Sequence, residues 1–259
     1  NAVAIRIARC STSRHKVAIC GYHGWHDWYM SANINKTDKL SNHLFKDIGY
    51  LGVPNFLKKT VFPFNYGDLK TFRKLITEEK IGIVMMEFAR TFEPNLIFLK
   101  EIKKLFKKKK IILIFDECTS GFRENYGGLH MKFNIYPDLA MFGKAIGNGY
   151  AINAVVGKKK YMKKAENSFI SSTFWSERVG YTAALSSLEL MYKTKSWKKI
   201  SLNGKKIKDG WLKLSKKHNL HITISGLDSI PSFTFRKNHQ IYKTFITQEM
   251  LKRNYLASD

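Results

Sequence analysis

Lys144 stands in FGKAIGNGY (142–150), where an apolar run gives way to a Gly-rich turn. A lysine so placed is expected to be desolvated by its neighbours, which favours the neutral, nucleophilic amine that Schiff-base chemistry needs. The plainer alternative is a surface lysine ahead of a turn. IILIFDECTSGFR (111–123) ends another apolar run in Asp116 and Glu117. A carboxylate at the end of a buried strand is costly to leave unpaired. Asp116 therefore requires a cationic partner, which a protonated pyridine nitrogen, a magnesium ion or Arg123 would supply. MMEF (85–88) places Glu87 at the end of a third run.

Two segments admit more than one chemistry. In CGYHGWHDWY (20–29), the spacing of Cys20, His23, His26 and Asp27 could ligate zinc, but no second Cys or His pair follows nearby. Tyr22, at a strand exit beside Gly24, could instead present its ring face to a flat ligand, with Trp25 and Trp28 walling the pocket. The same aromatics could also fill core beneath a loop. Apolar residues followed by Asp-Glu further fit the Walker B strand of an ATPase, which demands a G-x-x-x-x-G-K-[ST] loop. Ahead of Gly143-Lys144 the first glycine is replaced by Asp138, and Ala145 follows the lysine. The ATPase reading loses its phosphate loop.

The elements that must position these residues alternate. NAVAIRIAR opens as a helix end, and KVAIC, VFPF, IGIVMMEF, IILIFDE, PDLAMFGK (137–144) and AINAVVG (151–157) read as strands. Helices are expected after Asp68 and from about Asn95 to Lys109, and a loop region with short helices from Tyr22 to Lys59. Continuous apolar strands between amphipathic helices predict an α/β layer with a mostly parallel sheet covered on both faces. Ligands of such sheets collect at the carboxyl ends of the strands, where Tyr22, Glu87, Asp116 and Lys144 fall. Residues 177–217 read as one long helix and its continuation, with Gly204 and Gly210 as candidate breaks; HITISG, SFTFR and a helix near 241–253 suggest the start of a smaller α+β unit.

Composition sets outer bounds. In 259 residues, 44% hydrophobic and 14% aromatic content is enough for a core. The longest apolar run, Ile111 to Phe115, is far short of the roughly 20 residues of a membrane-spanning helix. The net charge of +25 is spread along the chain, with 24 basic and 13 acidic residues in 1–150 and 21 and 7 in 151–259. A diffuse excess admits anionic ligands but argues against a dedicated nucleic-acid stripe. Lys107 to Lys110 reads as the exposed end of a helix. Three cysteines without a C-x-x-C pair are no disulfide framework and fit a reducing cytoplasm. The start at Asn1, inside a helix and without a leader, suggests an incomplete N-terminus.

YHG, MMEF, FDExTSGFR, FGKAIGNGY and SSTFW, in this order, resemble the class III pyridoxal-phosphate aminotransferases, most closely the glutamate-1-semialdehyde aminomutase-like branch. The resemblance covers residues 1 to about 190 and implies a fold-type I transferase. A large cofactor-binding domain would occupy 1–190, with a linker helix and partial small α+β domain in 191–259. It implies pyridoxal 5'-phosphate as cofactor, carried by Lys144 as a Schiff base, with Lys144 later shuttling a proton. Asp116 would pair with the pyridinium nitrogen and Tyr22 would stack on one ring face, with His23 close by. Cys118 would pack on the other face, Glu87 would lie near the cofactor edge, and Thr173 would reach the phosphate of the neighbouring subunit's cofactor in a homodimer. An amino donor and an aldehyde or keto acceptor follow as substrates, with neither membrane nor nucleic acid as partner. Phe88 departs from the family's usual Pro and Ser120 from its Thr. The phosphate-binding turn is expected ahead of residue 1, and any carboxylate-binding Arg beyond the last. The rival expectations are a noncatalytic relative serving as a dimerisation partner and a basic, ATPase-like nucleic-acid-binding module.

Overall fold

The computed structural model describes residues 1–35, 38–43, 48–89 and 91–256. Part of the expected loop region (36–37 and 44–47) and the last residues (257–259) lie outside the described residues. The elements run α1 (Ala2–Arg9), β1 (Val17–Cys20), α2 (Asp27–Met30), β2 (Val61–Pro63), α3 (Leu69–Glu78), β3 (Ile83–Glu87), α4 (Leu96–Lys109), β4 (Ile112–Asp116), α5 (Leu129–Lys132), β5 (Leu139–Phe142), β6 (Ala154–Gly157), α6 (Lys159–Met162), α7 (Arg178–Thr194), α8 (Ser196–Lys217), β7 (Ile222–Ser225), β8 (Ser232–Phe235) and α9 (His239–Leu251). Strands β2-β1-β3-β4-β5-β6 form one sheet in that order, and β7-β8 form a separate antiparallel pair. Within the large sheet only the β5–β6 pairing is antiparallel. The predicted α/β layer and its strands are observed.

Strand residues alternate between two cores, as a two-residue side-chain period requires. Val84, Met86, Leu113 and Phe115 pack with Phe72 and Ile76 of α3 and with Phe98, Leu99, Ile102 and Phe106 of α4. Ile83, Met85, Ile112 and Ile114 pack on the other face with Ile5 and Ile7 of α1 and with Trp28, Tyr29 and Met30. Both faces are covered, which is why these strands read as unbroken apolar runs. Helix starts follow local chemistry: Asp68 accepts from the Thr71 amide at 2.9 Å, and Asn95 from the Phe98 amide at 3.0 Å, each satisfying an orphan donor. Lys107 to Lys110 are exposed at the end of α4, as expected.

The helix and continuation expected over 177–217 are two helices, divided at neither glycine. Lys195, with a left-handed φ of 50°, separates α7 from α8, whereas Gly204 and Gly210 lie inside α8. Gly204 is needed for close packing: a Cβ there would stand 1.6 Å from the Asp228 carbonyl oxygen. The β7–β8 unit is tied to the large sheet's side through Gly226, whose amide donates to the Thr91 carbonyl at 3.1 Å, and Leu227, which is buried in the α3–α4 core.

Candidate active site

Strands β1, β3, β4 and β5 run parallel, so their carboxyl ends share one edge. Glu87 is the register partner of Asp116, and Asp116 of Met141. The chain leaves β5 at Phe142 and enters a short turn at Lys144, whose φ of 48° is left-handed. Topology thus brings Glu87, Asp116 and Lys144 to one sheet edge.

Asp116 is buried, 3% exposed. One carboxylate oxygen, Oδ2, accepts from His23 Nδ1 at 2.8 Å and from the Asn1 side-chain amide at 2.8 Å. The other accepts from the Cys118 amide at 3.0 Å. Burial alone would raise the acid, but the His23 hydrogen bond and charge, with the Cys118 and Asn1 bonds, outweigh it and hold the carboxyl below the usual range. His23 is itself buried, and its Nε2 has no partner.

Lys144 is exposed, so the expected desolvation of this amine is not observed. The lysine opens the turn at the sheet edge on a left-handed backbone. Its Nζ donates to Thr119 Oγ1 at 2.7 Å. The Cys118 thiol is half-buried and pushed up by burial and then by the Asp116 charge, while Lys144 pulls it down. Cys118 therefore lies within the field of both Asp116 and Lys144, and of Glu87 as well. Lys144 also borders a cleft of about 560 Å³ with Arg123, Asn148 and Asn153. Arg123 is not the partner of Asp116, and its buried Nε is unpaired.

Gly21 brings the Tyr22 segment against this edge. Its φ is +116°, and a Cβ would stand 2.5 Å from Glu87 Oε2; the Tyr22 amide donates to that oxygen at 3.4 Å. Tyr22 is 37% exposed, and its ring meets Tyr29 edge-on, centroids 6.2 Å apart. Burial, then the Glu87 charge, lifts the Cys20 thiol to about 12.

Other expected neighbours fall elsewhere. Trp28 belongs to the α1-side core and Trp25 is exposed on the stacked His26 ring, so neither tryptophan is seen to wall a pocket at Tyr22. Among the described residues no group of three or more His, Cys, Asp or Glu side chains could hold a metal ion. Thr173 lies on an exposed turn, and among the described residues no hydrogen bond joins it to Lys144 or Asp116. Thr119, Asn1 and His130 were missed by sequence reasoning. Thr119 could have been found as the hydroxyl next to Cys118 in the ECTSG turn.

The class III aminotransferase family model matches residues 1–252, and the chain belongs to that family. Over 256 residues it is 32% identical to the 3-aminobutyryl-CoA aminotransferase of Cloacimonas acidaminovorans, covering 95% of this chain and 58% of that protein. It is 28% identical over 258 residues to a glutamate-1-semialdehyde 2,1-aminomutase of Methanosphaera stadtmanae, covering 95% and 59%. The chain thus spans little more than half the length of the relatives it matches. An omega-transaminase from Sphaerobacter thermophilus shares the fold with a TM-score of 0.84 at 19% identity, over 99% of this chain and 65% of that one. A transaminase solved with PLP bound superposes with a TM-score of 0.72 at 21% identity, over 88% and 55%.

The donor set is compatible with pyridoxal phosphate. A carboxylate offers about four lone-pair positions, and Asp116 uses three of them on His23, Asn1 and Cys118. One acceptor position remains for a ring N–H, on an acid already held in its charged form.

Proposed function

We propose that this chain binds pyridoxal 5'-phosphate and moves an amino group to, or within, an aldehyde or ketone substrate. The carrying observation is the common sheet edge on which buried Asp116, bonded to the Cys118 amide, and Lys144, bonded to Thr119, meet the same 116–119 segment. Bound there, the cofactor would supply an aldehyde that condenses with amines and a protonated ring that takes up electrons from the substrate carbon.

In this reading Lys144 is the residue that would hold the cofactor aldehyde, and its Nζ would be the base that moves a proton at the substrate carbon. Thr119 holds that amine while it waits. Asp116 would hold the proton of the pyridine nitrogen, and His23 orients Asp116. Tyr22, Cys118 and Glu87 would help to hold the cofactor ring. Thr173 would help to hold the phosphate in the site of a second copy, which makes the working unit of this reading a homodimer with shared sites. Exposed Val179, Tyr181, Leu185 and Tyr192 on α7 support such an interface. Residues 1–190 form the cofactor-binding domain and 191–259 the linker helix and part of the small domain. The cysteines Cys10, Cys20 and Cys118 are all free, which supports a cytoplasmic setting, and no described helix is long and apolar enough to cross a membrane.

The test is an absorbance spectrum on adding pyridoxal phosphate, followed by candidate amines. The expected result is a visible imine band that amines convert to the pyridoxamine spectrum. A spectrum identical to that of Lys144→Ala would refute the reading.

A further inference from the structure

Glu117 is wholly buried and, among the described residues, no lysine or arginine pairs with it. Its Oε1 accepts from both the His130 backbone amide, at 2.9 Å, and the His130 ring Nδ1, at 2.8 Å. Its Oε2 accepts from Ser120 Oγ. The backbone of the same residue is fixed at both poles: the Glu117 amide donates to the Met141 carbonyl at 2.8 Å, and its carbonyl accepts from Gly121 at 2.8 Å. Residues 117–121 are therefore a clamped turn. The His130 ring is held in turn by Phe115 at 5.8 Å and Tyr136 at 5.9 Å.

Thr119 sits at the middle of this turn and is the hydroxyl to which Lys144 Nζ donates at 2.7 Å. We infer that His130 is a positioning residue for Lys144, acting through Glu117 and the 117–121 turn to hold Thr119 Oγ1 against the amine. Without the His130 ring, the buried Glu117 carboxylate would lose one of its three hydrogen-bond donors. The turn that it organises would then relax, and Lys144 would lose a fixed acceptor. The inference rests on the proposed use of Lys144, but its geometry is independent of any cofactor.

The test is acylation of the full, unloaded chain by acetic anhydride, with the rate at Lys144 read by peptide mass spectrometry against other exposed lysines. His130→Leu is expected to speed acylation of Lys144 by about two- to tenfold, the worth of one hydrogen bond. His130→Asn, which keeps a donor near the Nδ1 position, should restore the parent rate. Thr119→Val should match His130→Leu, and the double variant should be no faster than either single one, because both remove the same link. An unchanged Lys144 rate in folded His130→Leu, additive effects in the double variant, or no rescue by Asn overturns the inference. Failure of the cofactor reading is distinguishable: it appears as no borohydride-trapped adduct on the parent chain and leaves these acylation ratios untouched.

Discussion

Asp116 and His23 face each other across 2.8 Å with side chains 3% and 0% exposed, a buried acid–imidazole pair at the ends of β4 and β1. Removing either member strands the other. Asp116→Ala should destabilise the fold by about 3–5 kcal/mol, measurable by urea unfolding. Asp116→Asn preserves shape but cannot hold a ring proton by charge. It should still form the Lys144 imine while losing amine conversion by about 100-fold or more, checked by single-turnover absorbance.

Gly21 is the hinge between β1 and Tyr22. A methyl group there meets Glu87 Oε2 at 2.5 Å, on a backbone with φ of +116°. Gly21→Ala should cost about 2–4 kcal/mol and reduce cofactor affinity, both readable from thermal unfolding with and without pyridoxal phosphate.

Two glycines of α8 should respond with opposite signs. Gly204→Ala drives a Cβ to 1.6 Å from the Asp228 carbonyl, whereas nothing lies within 4 Å of a Cβ at Gly210. Gly210→Ala should stabilise by about 0.5–1 kcal/mol through helix entropy, and Gly204→Ala should destabilise by about 1–3 kcal/mol. Denaturant midpoints decide it.

The strands, the two faces and the strand-end acids were legible because apolar runs and their polar terminators are local signals. Lys144 was found by the same logic, but its exposure was not: solvent access at a strand end is set by which distant segments cover it, not by the strand's own residues. The break at Lys195 was missed because a lysine in a left-handed cap carries no mark in the sequence, while Gly204, which looked like a breaker, serves packing instead. His130 was invisible because its partner, Glu117, lies 13 residues away on another element.

His43 should contribute an acid-sensitive step. Burial, and then the His23 charge, pushes its ring from 6.5 down to about 4, and its Nδ1 accepts from the Gly21 amide at 3.2 Å. Between those values the unfolded chain binds more protons than the folded one, so stability falls as pH drops from 6.5 toward 4. The Asp116 contribution, from a depressed acid, is lost only below about 3.8. Urea titrations across both windows should show a flatter upper step in His43→Asn and an unchanged lower one.

The most direct measurement is borohydride reduction of the chain with stoichiometric pyridoxal phosphate, followed by peptide mapping. The expected result is one phosphopyridoxyl group, located on Lys144 and missing from Lys144→Ala. Label scattered over surface lysines to the same extent in both chains would contradict the assignment of Lys144, and with it the proposed chemistry.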